Sequence, residues 1–215
     1  MCRIPICVLG LLLFGLSAAA QNPIRLKTSD TEIALTPGPT APSLTAFAVP
    51  GQPAWENRSS ESLIDFAQIS GKTEAIHWNL NAALTKADEK DVVFVYESSS
   101  PHLRLSWEWR VRQAFGPIEH QILIENLSSQ QIWIPFQDTL AFDWKIDSQA
   151  PLNQLYVEKG ANTPSDIGTH ELSIKDGYKW TGTSSTYGDT DAREPREIIP
   201  WTLVQRNDAD RKSVV

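Results

Sequence analysis

The sequence predicts an all-β protein, an antiparallel sandwich of many short strands, and three observations carry that prediction. Residues 103–111 alternate strictly, with Leu103, Leu105, Trp107, Trp109 and Val111 apolar and Arg104, Ser106, Glu108 and Arg110 polar. That is the period-two signature of a strand with one buried face. Further short apolar runs recur between clusters of Gly, Pro, Asn and Ser, the spacing expected of a sandwich. No internal repeat and no amphipathic helix of convincing length interrupts the pattern.

At the N-terminus Arg3 precedes an apolar run over 4–16 and then Ser17-Ala18-Ala19-Ala20. A basic start, an apolar stretch and a small-residue cleavage site make a secretory signal peptide, so 1–20 are expected to be removed ahead of Gln21. The run is shorter than the about 20 residues of a membrane span. The mature protein is therefore expected to be secreted or periplasmic, without membrane attachment. Cys2 and Cys7 leave with the leader, so disulfides and thiolate chemistry are excluded from the remaining 195 of 215 residues. That length suits one domain, 21–215. With 18 basic and 26 acidic side chains the mature chain carries a net charge of −8, which argues against nucleic acid as a partner.

Between 23 and 55, Pro23, Pro37, Pro39, Pro42, Pro50 and Pro53 break up apolar runs at 33–35 and 44–49. Proline cannot donate to a sheet ladder, so these runs are expected as edge strands or extended connections. Residues 57–62 read as a loop and 63–69 as a strand. Ile76, Trp78, Leu80, Ala82 and Leu84 alternate as a strand does, while 79–87 also contains good helix formers. After a charged turn, 92–96 reads as a strand.

In the centre, 103–111, 118–126 and 132–136 are expected to form three consecutive antiparallel strands. Closing the first hairpin over 114–117 sets Trp109 opposite Ile122, Trp107 opposite Ile124 and Arg112 opposite Glu119, with His120 inward opposite Val111. A hydrogen-bonded core histidine is the reading of His120 that follows. Residues 126–129 supply the polar turn that the next reversal needs. Farther on, 140–146 alternates weakly and 154–158 is β-rich. From 160 to 196 the composition shifts to Gly, Thr, Ser, Asp and Pro, with strand-like pieces at 172–174 and 179–181. A loop-rich stretch this long usually serves a site or a contact.

The Trp-bearing strand, Gly116-Pro117-Ile118-Glu119-His120, Ile124-Glu125-Asn126, Ile132-Trp133-Ile134-Pro135 and the later Arg193-Glu194-Pro195-Arg196-Glu197-Ile198-Ile199-Pro200-Trp201 together resemble the N-terminal domain of alpha-galactosidases of glycoside hydrolase family thirty-six. The resemblance covers roughly 55–206. It implies an antiparallel β-supersandwich of the galactose mutarotase-like kind, incomplete at its C-terminus. It also implies a catalytic (β/α)₈ barrel as the missing partner, carrying both catalytic aspartates, and a homo-oligomer in the full-length form.

Chemistry is thinly marked in the residues themselves. No Gly-rich phosphate loop, nucleophile elbow or paired-histidine zinc motif is present. The acids at 188–191 lack the later ligands of a calcium loop, so no metal and no cofactor is expected. Glycoside hydrolysis needs two carboxyl groups flanking the bond, about 5 to 5.5 Å apart in retaining enzymes. Glu108, Glu119, Glu125, Glu194 and Glu197 form no such recognisable pair, so no catalytic residue is assigned.

The eight tryptophans admit sugar stacking or core packing. A buried aromatic removes about 150 to 250 Å² from water, nominally about 4 to 6 kcal/mol before entropy. Trp78, Trp107 and Trp109 fit the core pattern, while Trp55, Trp180 and Trp201 lie in loop-rich sequence and are the candidates for contact with carbohydrate. The function expected is a non-catalytic sandwich of a secreted alpha-galactosidase-like hydrolase that supplies interdomain or intersubunit surface. The alternative is a standalone sugar-binding or aldose-epimerase-like sandwich, with a His as general acid and a Glu as general base.

Overall fold

The computed structural model describes residues 22–145, 151–158, 168–175, 177–180, 198–206 and 212–214, without side chains at 198–201 and 212–214. The leader expected over 1–20, the two-acid turn at 188–191 and the segment 193–197 lie outside the described residues. Among the described residues every regular element is a strand and every pairing is antiparallel, and the chain divides into two compact units, 1–145 and 146–215.

In the first unit the strands are β1 Ile24–Lys27, β2 Glu32–Pro37, β3 Pro42–Ala48, β4 Trp55–Asn57, β5 Phe66–Ile69, β6 Lys72–Ala75, β7 Asn79–Leu80, β8 Lys86–Ala87, β9 Asp91–Ser99, β10 His102–Val111, β11 Ile118–Asn126, β12 Ile132–Trp133 and β13 Trp144–Lys145. One five-stranded sheet has the order β1-β2-β3-β4-β13. A second runs β11-β10-β9-β7 with β8 also on β9, and a three-stranded sheet runs β12-β5-β6. Leu26, Ile33, Leu35 and Leu44 from the first sheet share one core with Val92, Phe94, Tyr96, Leu103, Leu105, Trp107 and Trp109 from the second. Ile64, Ala67, Ile76 and Trp78 complete that core, so the unit is a sandwich closed by apolar burial.

β10 behaves as its alternation predicts. Leu103, Leu105, Trp107 and Trp109 are buried, Trp107 completely. On the opposite face Arg104 reaches Glu97 at 2.7 Å and Glu125 at 3.7 Å, Arg110 pairs with Asp91, and Arg112 meets Glu119 at 2.8 Å. These pairs on a solvated face contribute little stability each. They fix which side of the sheet meets water.

The hairpin register differs from the expected one by two residues: Trp107 faces Ile122, Trp109 faces His120 and Arg110 faces Glu119. The loop runs over 112–117 rather than 114–117, with Gly116 at φ 93°. Its amide donates to Asp30 Oδ1 at 3.0 Å. A slip of two keeps every side chain on its face, and Arg112 still reaches Glu119 on the diagonal.

Two other expectations are corrected. The run at 132–136 does not follow β11 as a third strand: only Ile132–Trp133 is a strand, and it pairs with β5. Asn126 explains this, because its amide donates to Gln130 O at 2.7 Å while its Oδ1 accepts from Ser128 N and Oγ, which turns the chain away from β11. The proline-bearing runs are not all edges, since β2 and β3 lie inside their sheet. Pro37 and Pro42 end β2 and begin β3 and face each other, positions where no ladder donor is lost. The helical alternative over 77–86 is also settled: that stretch holds β7, a turn and the first residue of β8.

The second unit is a four-stranded sheet of order β15-β14-β16-β17, made of β14 Leu152–Glu158, β15 Thr169–Ile174, β16 Ile198–Arg206 and β17 Lys212–Val214. β14 carries the expected run 154–158 and β15 the expected piece 172–174. Lys179 and Trp180 lie outside any strand.

Candidate functional site

In the second unit, β14 sits between β15 and β16 and so has neighbours on both sides of one face. Leu152, Gln154 and Tyr156 project to the same face by the period of the strand. Across from them stand Ile174, Leu172 and His170 on β15 and Arg206, Val204 and Thr202 on β16. Directly opposite residues share a face, so Tyr156 and His170 stack, with ring centroids 4.9 Å apart and planes at 16°. Trp180 tilts against the other aromatic of that pair, 5.0 Å from Tyr156.

Polar groups complete this face. His170 Nε2 lies 3.2 Å from Glu158 Oε2, and the ladder between β14 and β16 shifts register between Tyr156 and Glu158, an irregularity of the kind that re-aims a side chain. Gln154 is 5% exposed, and both ends of its amide are engaged. Its Nε2 donates to Thr202 Oγ1 at 3.0 Å and its Oε1 accepts from the Tyr178 hydroxyl at 2.7 Å. Desolvation, helped by Tyr156, raises the Tyr178 phenol above its ordinary pKa of 10.0, so it stays a donor. The cluster offers aromatic faces beside a carboxylate, an imidazole and an ordered amide.

The first unit holds a different constellation. His120, on the edge strand β11, stacks on Trp109 at 4.3 Å and meets the edge of Trp107 at 5.2 Å. Its Nδ1 is 2.9 Å from Glu108 O and its Nε2 is 2.9 Å from Thr139 O. Burial lowers its pKa below 6.5, against the pull of the two carbonyls. Glu61 is 6% exposed and accepts from Ala141 N at 2.9 Å through Oε2. Its Oε1 has no hydrogen-bond partner among the described residues, and burial raises its pKa from 4.5 to about 7.

Thr139 and Ala141 belong to one extended strap, 134–143, that follows β12. Gln137 donates to Ser62 O at 2.8 Å and accepts from Ile64 N at 2.8 Å. Asp143 N donates to Asn57 Oδ1 at 2.8 Å, and Leu140 and Phe142 pack on the core. The strap thus links β11 of one sheet to the loop after β4 of the other.

Of the tryptophans expected to meet sugar, Trp180 lies in the aromatic cluster of the second unit. Trp55 is half-buried on β4, edge-on to Trp144 at 5.7 Å, and Trp144 stacks on Phe142 at 4.6 Å. Trp201 falls on β16, and its side chain lies outside the described residues. Tyr156, Glu158 and His170 escaped the sequence reading, because what joins them is the pairing of two strands separated in sequence by residues 159–168. The most exposed tryptophan described is Trp133, 66% exposed on the same side of its sheet as Phe66. No protein-family model, no curated protein and no solved structure matches the chain.

Proposed function

We propose that the chain is a non-catalytic, carbohydrate-associated sandwich from a secreted hydrolase resembling the alpha-galactosidases of glycoside hydrolase family thirty-six, supplying surface to a catalytic barrel or a neighbouring subunit. The observation that carries this reading is the face formed by Tyr156, His170 and Trp180 beside Glu158. A pyranose presents an apolar ring face and a rim of hydroxyls, so its recognition needs an aromatic surface with hydrogen-bonding groups at its edge. This cluster supplies both. The leader-like stretch at 1–20 supports export, and the antiparallel sandwich architecture agrees with the mutarotase-like kind at the level of class.

Titration of the full mature chain with methyl alpha-galactoside, followed by tryptophan fluorescence and by amide shifts of 152–158 and 169–174, tests the proposal. Saturable shifts that vanish in Trp180→Ala are expected, together with no turnover of an aryl alpha-galactoside. No shift with methyl alpha-galactoside or with galactose overturns sugar association, and turnover overturns the non-catalytic reading.

A second reading rests on His170 and Glu158, which have the residue types of an aldose epimerase. At 3.2 Å they contact each other and leave no room for a sugar between them, which favours binding over acid–base catalysis. A mutarotase assay on galactose separates the two: activity lost in His170→Gln favours the epimerase.

A further inference from the structure

β11 is the longest edge strand among the described residues, and its outer side has no strand beside it. Leu127 N donates to His102 O at the end of the β10–β11 ladder, which fixes the direction of every backbone group along the strand. Bonded and non-bonded pairs alternate in an antiparallel ladder, so Glu119, Gln121, Leu123 and Glu125 spend their amides and carbonyls on β10. Those of Ile118, His120, Ile122 and Ile124 point the other way. No described group takes them, and an open row of this kind is a template for one more strand.

We propose that the occupant of this edge is a second copy of the chain, with β11 against β11, antiparallel about a two-fold axis through Leu123. In that register Ile122 exchanges backbone hydrogen bonds with Ile124 of the second copy, and Ile124 with its Ile122. Leu123 faces itself across the axis. Gln121 faces Glu125 on either side, and one continuous sheet joins the two first units. Such an interface uses the same patch on both copies, and it depends neither on sugar association nor on a catalytic partner.

The side chains select both the occupant and the register. Leu123 is 44% exposed on the solvent face of β11, where its neighbour on β10 is Ser106. Pairing with itself gives it the apolar contact that its own chain does not. The chain is acidic overall, yet Glu119 meets Arg112 at 2.8 Å and Glu125 lies 3.7 Å from Arg104. Charge at this edge is therefore balanced within each copy, and the Gln121 amide can donate to the Glu125 that it faces. On the inner side Ile122 and Ile124 are half-buried against the core, and pairing extends that apolar layer. Moving the axis by one residue spoils the match. Centred on Ile122, Glu119 faces Glu125, and centred on Gln121, Leu123 faces Glu119, so like charges or a charge and an apolar side chain are opposed.

Pairing of one strand buries less surface than a standard interface, so the dimer is expected to be reversible and to grow with concentration. Chain 21–215, prepared free of glycan, holds no cysteine, and single cysteines therefore report the register under mild oxidation. Leu123→Cys should give a disulfide-linked dimer, because the copies meet there at a non-bonded pair with Cα atoms about 4.5 Å apart. Gln121→Cys should give none, since the two positions stand four residues apart along the ladder, about 13 Å. In sedimentation Gln121→Lys should tighten the dimer and Gln121→Glu loosen it, each several-fold, through the Glu125 opposite. Amide exchange reads the same event in the wild-type chain. Ile122 and Ile124 should gain protection as concentration rises, while Leu123, bonded to β10, stays protected throughout. A chain that remains monomeric at every concentration overturns the pairing, as does crosslinking at Gln121→Cys in place of Leu123→Cys. If a variant fails to fold, sedimentation and exchange of the wild-type chain decide.

Discussion

Trp109 and His120 stand directly across from each other on β10 and β11, and their rings stack at 4.3 Å with planes 21° apart. The pairing explains why a polar residue occupies an inner-face position of an edge strand. Its ring packs as an aromatic while its two nitrogens are spent on backbone carbonyls. Side chains around this pair give the most direct tests of the fold.

Trp107 is fully buried, stacked on Phe94 at 5.7 Å and edge-on to Trp109 at 5.3 Å. Trp107→Ala should therefore destabilise the first unit by about 3 to 5 kcal/mol. Arg110→Ala removes a solvated pair with Asp91 and should cost far less. Urea titrations of the two variants check the contrast, and equal losses would contradict the assigned faces.

Glu61 binds its proton more tightly folded than unfolded, because burial raises its pKa from 4.5 to about 7. Its contribution is complete below pH 4.5 and is lost as pH rises through about 7. Glu61→Gln keeps an acceptor for Ala141 N and removes the ionisation, so the variant should gain stability relative to wild type above that value and none below 4.5. Denaturation midpoints on either side of the window measure the difference.

Both Asn-X-Ser sequences, at Asn57 and Asn126, fit a glycosylation acceptor pattern, but their side chains are held differently. Asn57 Nδ2 donates to Leu44 O at 2.9 Å and to Ser59 O at 3.2 Å, and its Oδ1 accepts from Asp143 N. Asn126 is exposed and engages only its own turn. Secretion from a eukaryotic host should yield glycan at Asn126 and none at Asn57, as read by peptide mass mapping.

Trp133 and Phe136 are the most exposed large apolar side chains described, at 66% and 103%. Replacing both with Ala should change stability by no more than about 0.5 kcal/mol. It should also lower the binding of a hydrophobic dye, because both rings present exposed apolar surface. Fluorescence of the bound dye tests this.

Legibility in the sequence followed the range of the forces involved. β9, β10 and β11 were readable because a single alternating segment carries the whole signal, and the salt-bridged face of β10 followed from the same residues. The register was not, since it depends on where a turn closes, and Asp30, from a distant strand connection, holds Gly116 in the hairpin loop. Trp180 was singled out for its loop-rich surroundings and does lie in an aromatic cluster. Its companions Tyr156 and His170 are brought together by a ladder between segments whose spacing no local pattern encodes. Glu61 gave no signal either, because it looks like any loop carboxylate until the strap buries it.

The strap's attachments also set an order of events. Gln137 to Ser62, Ala141 to Glu61 and Asp143 to Asn57 join residues 75, 80 and 86 positions apart, whereas the β9–β10–β11 meander is built from neighbours in sequence. Contacts of such separation carry the loop-closure entropy of everything between them, so they become favourable only once the meander and the first sheet already enclose that chain. During synthesis the clasp cannot form until residue 143 has emerged. Until then Trp109 and His120 border an open flank, and the nascent first unit is a sandwich with its seam undone.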